Sequence, residues 1–156
     1  MKTAAHWKPI GQRPHHGIQV PLFALHTQRA QGIGEFLDLM PLIDWCATIG
    51  FDTIQLLPLY DTGTDPSPYN PISSCALDPV YLSLPRLSLP SHLPRAEIKA
   101  RKLDYLHTLE RPNLASFVQS QPWVEEYGRF LGDAEFHCFV QSLCFAQMGA
   151  VKAYAE

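Results

Sequence analysis

Thr53-Ile54-Gln55-Leu56-Leu57-Pro58-Leu59, followed after five residues by Asp65-Pro66-Ser67-Pro68-Tyr69-Asn70-Pro71, is the stretch on which the reading of this chain turns. The first run is apolar and short and does not alternate, so it predicts a strand over 53–59, buried on both faces as in a parallel sheet. The second is a loop stiffened by Pro66, Pro68 and Pro71 that displays one aromatic, one hydroxyl and one amide. A loop directly after a parallel strand lies at the carboxyl edge of the sheet, where α/β barrels and open α/β sheets carry their active sites.

Upstream, Gly17-Ile18-Gln19-Val20-Pro21-Leu22-Phe23 predicts a first strand over 18–23 after an irregular entry over 1–16. The loop over 26–34 ends in Gly32-Ile33-Gly34, and a helix over 39–49 is expected next. Asp38 is its expected N-cap, Pro41 falls in the first turn, and Gly50 stands where a terminating glycine belongs. Leu39, Leu42, Ile43 and Cys46 form its apolar face. Strand, helix, strand is a βαβ unit. Downstream, residues 80–84 suggest another extended segment and 85–94 a loop. Helices are expected over 95–109, 114–121 and 123–131, and a long one over 133–156 with Phe136, Val140, Leu143, Val151 and Tyr154 on one face.

Composition excludes several classes. Twelve Lys+Arg against 15 Asp+Glu give a net charge of -3 without a basic run, so no nucleic-acid partner is expected. No apolar run approaches the roughly 20 residues of a spanning helix, so no membrane contact is expected. The N-terminus has no secretory apolar region, so the expected compartment is the cytoplasm. Cys46, Cys75, Cys138 and Cys144 are dispersed without a CxxC pair, and three lie in apolar contexts typical of buried thiols. Adjacent His15 and His16 point to different sides of any regular element. Neither metal nor cofactor is expected. Gly32 and Gly34 make no dinucleotide fingerprint, and Ser73-Ser74-Cys75 lacks a nucleophile elbow. Asp61, Asp65 and Asp78 occupy turn-like positions where an Asp side chain bonds its own backbone, and Asp44 reads as solvated.

In order along the chain, Gly32-Ile33-Gly34-Glu35, Ile49-Gly50-Phe51, Ile54-Gln55-Leu56-Leu57-Pro58-Leu59, Ser67-Pro68-Tyr69-Asn70, Ile72-Ser73-Ser74 and Ala76-Leu77-Asp78-Pro79 resemble the 4-α-glucanotransferases, the amylomaltase or disproportionating-enzyme family (glycoside hydrolase family 77). The last helix is similar to the family helix that precedes the next barrel strand, while 87–132 is only loosely comparable. The resemblance implies an α/β fold, the N-terminal part of a (β/α)8 TIM barrel. The barrel would be incomplete in this chain, with a helical insertion after the second strand. The parts would be 1–84 as the first βαβ unit with the sugar-binding loop, 85–132 as loop and helical insertion, and 133–156 as the helix leading to the next strand.

The implied reaction is transfer of α-1,4-glucan segments between maltooligosaccharides with retention of configuration. Such a reaction uses two carboxyl groups about 5 Å apart. In the family they lie on later strands, so no catalytic residue is assigned here and this segment alone is expected to be inactive. The substrate-binding residues implied are Ser67, Tyr69 and Asn70. An aromatic face suits the C–H face of a pyranose, a hydroxyl can meet sugar oxygens, and an amide both donates and accepts. Several family members carry an aromatic a few residues before the serine, where this chain has Thr62-Gly63-Thr64-Asp65. Two other readings are a different α-amylase-like glycoside hydrolase and a non-catalytic carbohydrate-binding or interaction module.

Overall fold

The computed structural model describes residue 11, residues 13–28 and residues 31–156. Most of the expected irregular entry, and residues 29 and 30 of the following loop, lie outside the described residues. Strands β1 (Gly17–Val20) and β2 (Thr53–Leu56) pair in parallel with Gly17 opposite Thr53 and Val20 opposite Leu56. Helix α1 (Leu39–Thr48) connects them, so the βαβ unit expected from the sequence is present.

Both strands are shorter than the sequence suggests, and proline is the reason. Pro21 and Pro58 have no N–H to give a ladder. After Pro21 the chain turns through a 3-10 segment, Leu22–Ala24. The expectation that 53–59 is buried on both faces is also corrected: Thr53 and Gln55 are exposed and Ile54 and Leu56 half-buried. Among the described residues the sheet has two strands, and α1 and the end of the long C-terminal helix border a groove beside β2.

Asp38 stands at the N-cap position of α1, as expected, but its side chain makes no capping bond to that helix. It closes a 3-10 turn, Phe36–Asp38, where its carboxylate accepts from the Glu35 N–H at 2.8 Å and from the Thr27 hydroxyl at 2.5 Å. Gly34 precedes this turn because a Cβ there would lie 2.0 Å from the Leu22 carbonyl oxygen. Gly50 follows α1 with φ +81°, as a terminating glycine should.

The segment over 80–84 is not a strand. Its start is a 3-10 turn, Pro79–Tyr81, capped by Asp78 through the Val80 N–H. The polar backbone groups that a neighbouring strand would satisfy are taken by side chains instead. Lys102 Nζ donates to the Val80 and Leu82 carbonyls at 2.8 and 2.7 Å. Gln147 bonds both the N–H and the carbonyl of Ser83 at 2.9 Å.

Four more helices follow: α2 (Arg95–His107), α3 (Ala115–Ser120), α4 (Trp123–Leu131) and α5 (Ala134–Ala155), close to the expected ranges. Asp133 caps α5 by accepting from the Phe136 N–H at 3.0 Å. Helices α4 and α5 approach so closely that a Cβ on Gly128 would stand 2.7 Å from the Ala134 Cα. On α5 Phe136, Phe139, Val140, Cys144 and Val151 enter a core shared with Leu22, Phe36, Val80, Leu82, Ile98 and Leu106. Tyr154, expected on that apolar face, is instead exposed and donates to the Asp44 carboxylate at 2.7 Å. The core therefore lies between the helices and the 76–84 segment. The four cysteines are free, with Cys46, Cys138 and Cys144 buried and Cys75 exposed.

Candidate functional site

The loop that leaves β2 is pinched at its root. Asp61 N–H donates to the Ala76 carbonyl at 2.8 Å and Asp78 N–H to the Leu59 carbonyl at 2.9 Å, with Tyr60 and Leu77 as an antiparallel bridge between them. The Ile72 N–H adds a bond to the Asp61 carbonyl at 2.8 Å. On the return arm Gln141 of α5 grips Leu77, accepting its N–H at 2.9 Å and donating to its carbonyl at 2.8 Å.

At the tip, Asp65 organises the three residues singled out from the sequence. Its carboxylate accepts from the Ser67 N–H at 2.8 Å and from the Asn70 amide at 2.7 Å. Ser67 Oγ accepts from the Tyr69 N–H at 3.4 Å. These bonds bring Ser67, Tyr69 and Asn70 onto one short turn, with Tyr69 68% exposed. The Asn70 amide, and then the Ser67 N–H, hold the Asp65 carboxyl below its ordinary value. The arrangement offers an exposed aromatic face flanked by a hydroxyl and an amide, which can stack on and hydrogen-bond a polyhydroxylated ring.

Each of the three turn aspartates does bond backbone two residues on: Asp61 accepts from Gly63 N–H, Asp65 from Ser67 N–H and Asp78 from Val80 N–H. For Asp61 and Asp78 that is only part of the role. Both are buried, at 2% and 0% exposure. Lys99 Nζ donates to Asp61 and lies 3.2 Å from the other carboxylate, Asp78. Arg95 Nη2 bonds Asp78 at 2.5 Å, and the Tyr127 hydroxyl donates to Asp61. Burial pushes the Asp61 carboxyl up, but the Lys99 ammonium, the Tyr127 hydroxyl and the Gly63 N–H together leave it below its ordinary value. Beside Asp61, burial and the carboxylate push the Tyr127 phenol far up, so it stays a donor.

Sequence reasoning missed Arg95, Lys99 and Tyr127. A signal existed: Arg95, Lys99 and Lys102 fall at i, i+4 and i+7 and so share one face of α2. A second buried pair, Lys102 with Glu35 at 2.5 Å, lies further along that face. There burial outweighs the attraction, raising the Glu35 carboxyl and lowering the Lys102 ammonium relative to their ordinary values.

A family model described as 4-alpha-glucanotransferase matches residues 20–131. The chain belongs to the 4-alpha-glucanotransferase family. It is 48% identical to a 4-alpha-glucanotransferase of Chlamydia pneumoniae, over 99% of this chain and 41% of the relative. With the corresponding protein of Chlamydia caviae the identity is 34%, over 96% of this chain and 40% of the relative. The chain thus spans about two fifths of the length of these glucanotransferase relatives. Among solved structures it resembles an amylomaltase from Corynebacterium glutamicum, with a TM-score of 0.74 at 20% identity over 91% of this chain and 28% of that one. At that identity the likeness concerns the fold. No helix among the described residues is long and apolar enough to cross a membrane.

Proposed function

We propose that this chain is the N-terminal part of a cytoplasmic 4-α-glucanotransferase, and that the turn carrying Ser67, Tyr69 and Asn70 holds an α-1,4-glucan. The observation that carries the reading is the exposed Tyr69 ring at the tip of a loop whose root is locked, at the carboxyl end of β2. With the loop root locked, stacking on the ring needs little further ordering of the backbone when the sugar arrives.

In this reading β1 and β2 are the first two strands of a (β/α)8 barrel, 85–132 is a helical insertion after the second strand, and α5 leads to the next strand. Two features support it. Gln19, Thr53 and Gln55 alternate with the half-buried Ile18, Ile54 and Leu56, as inward and outward positions of a barrel strand do. An open apolar groove of about 350 Å³ runs between α1, β2 and the end of α5, lined by Leu39, Ile43, Ile54, Leu56, Met148 and Val151, where further elements would pack. The acid and nucleophile of the retaining reaction are assigned to strands beyond this segment, so its own share of the chemistry is to bind and orient the glucan.

The test is maltotriose disproportionation by the whole product of the gene. Products both longer and shorter than the substrate are expected, and Tyr69→Ala should raise KM far more than it lowers thermal stability. Shorter products alone would mean a hydrolase, and an unchanged KM in Tyr69→Ala would remove the loop from the binding site.

A further inference from the structure

The loop that presents Tyr69 departs from β2, yet its strongest fixed contacts are to a helix that follows it in sequence. We propose that Arg95 and Lys99 of α2 are positioning residues for the glucan-binding turn, so that α2 sets where Tyr69 stands. The inference rests on the reading of the Tyr69 loop given above.

Two cations one helical turn apart reach both arms of the loop. On the outgoing arm Lys99 Nζ bonds the Asp61 carboxylate and the Gly63 carbonyl, the latter at 2.9 Å. On the returning arm it meets Asp78 at 3.2 Å. Arg95 spans the same gap with its fork, one nitrogen on Asp78 at 2.5 Å and the other on the Asp65 carbonyl at 3.1 Å. Asp65 is the residue whose carboxylate holds Ser67 and Asn70. A continuous path of hydrogen bonds therefore runs from α2 through Arg95 and Asp65 to the turn that carries Tyr69.

Simple neutralisation of Asp61 and Asp78 does not account for this pattern. The Gly63 and Asp65 carbonyls carry no charge to offset, yet each receives one of the cations. Charge-assisted bonds are roughly twice as strong as neutral ones, and these are at least partly buried, unlike the exposed Asn70 and Tyr69 contacts at the tip. The position of the tip is thus inherited from α2. A lysine at position 95 could still face Asp78, but its single ammonium cannot reproduce the planar fork that reaches Asp65 as well.

The measurement is kcat and KM for maltotriose disproportionation, with the melting temperature, in the whole gene product and three variants: Arg95→Lys, Lys99→Met combined with Asp61→Asn, and Tyr69→Ala. Arg95→Lys is expected to raise KM about tenfold with kcat within about twofold, because the ring is misplaced while the distant chemistry is intact. A folded Arg95→Lys enzyme with wild-type KM, or with lowered kcat at wild-type KM, overturns the inference, since loss of folded protein alone lowers apparent kcat and leaves KM. If Arg95→Lys does not fold, the charge-balanced double variant decides by the same criterion. Tyr69→Ala separates the two levels. Raised KM there with silent Arg95 and Lys99 variants sinks only the positioning role, whereas an unchanged KM sinks the loop's role and this inference with it.

Discussion

The root and the tip of the 61–76 loop are built from the same kinds of residue and held by different physics. At the tip, Asp65 bonds partners two and five residues away, at half-buried and exposed positions. At the root, Asp61 and Asp78 meet Lys99, Tyr127 and Arg95, between 17 and 66 residues away and out of water. A local, wet turn costs little to form and little to lose. A buried carboxylate is tolerable only when charges and hydrogen bonds surround it, so each such residue makes the others necessary. Changes at the Lys102–Glu35 pair on α2's polar face should therefore register as stability and changes at the tip as binding, while Arg95 and Lys99, which join root to tip, should register in KM.

The largest expected effect belongs to that buried pair. Lys102→Met removes the partner of Glu35 and the donor to two carbonyls, and should lower unfolding free energy by about 3–5 kcal/mol in urea denaturation of the whole gene product. Combining it with Glu35→Leu should recover part of that loss, because no unpaired buried charge then remains. A single variant as stable as wild type would show that burial there is less strict than the geometry implies.

Next is the seam between α4 and α5, which holds Tyr127 over the root. Gly128→Ala forces a methyl group against the Ala134 backbone and should cost about 1–3 kcal/mol by the same measurement. A neutral result would mean that the two helices can part without loss.

Acid should then separate root from surface. Asp61 titrates below its ordinary value in the folded chain. A carboxylate depressed by folding contributes stability above its unfolded pKa, about 3.9, and loses it as pH falls through the folded value. Stability measured against pH should fall in that acidic window, and Asp61→Asn should flatten the fall. The same slope in both proteins would remove Asp61 as its source.

The smallest effect on stability should come from Tyr69→Ala. Its ring is mostly exposed, so unfolding free energy should change by less than about 0.5 kcal/mol. A large loss would turn Tyr69 into a packing residue and erase the contrast between root and tip.

Much of the architecture was legible because it is local. Prolines, glycines and the three-and-four spacing of apolar residues marked α1, α2, α4 and α5 nearly to their ends. The misreadings share one cause. Residues 80–84 have the composition of a strand, but Asp78, Lys102 and Gln147 satisfy their backbone and remove the need for a strand partner. Asp38 has the composition of a helix cap, but the 3-10 turn before α1 claims it. In both cases side chains distant in sequence or a neighbouring turn decided between local options of similar energy.

By itself, the sequence determined the βαβ start, the helical remainder and the turn that gathers Ser67, Tyr69 and Asn70, because these depend on backbone preferences and bonds across a few residues. Only the tertiary structure decided that Asp61 and Asp78 are buried ion-paired groups and that α2 grips the loop after β2. Which charges meet out of water depends on how the helices pack, and no short stretch of sequence carries that information.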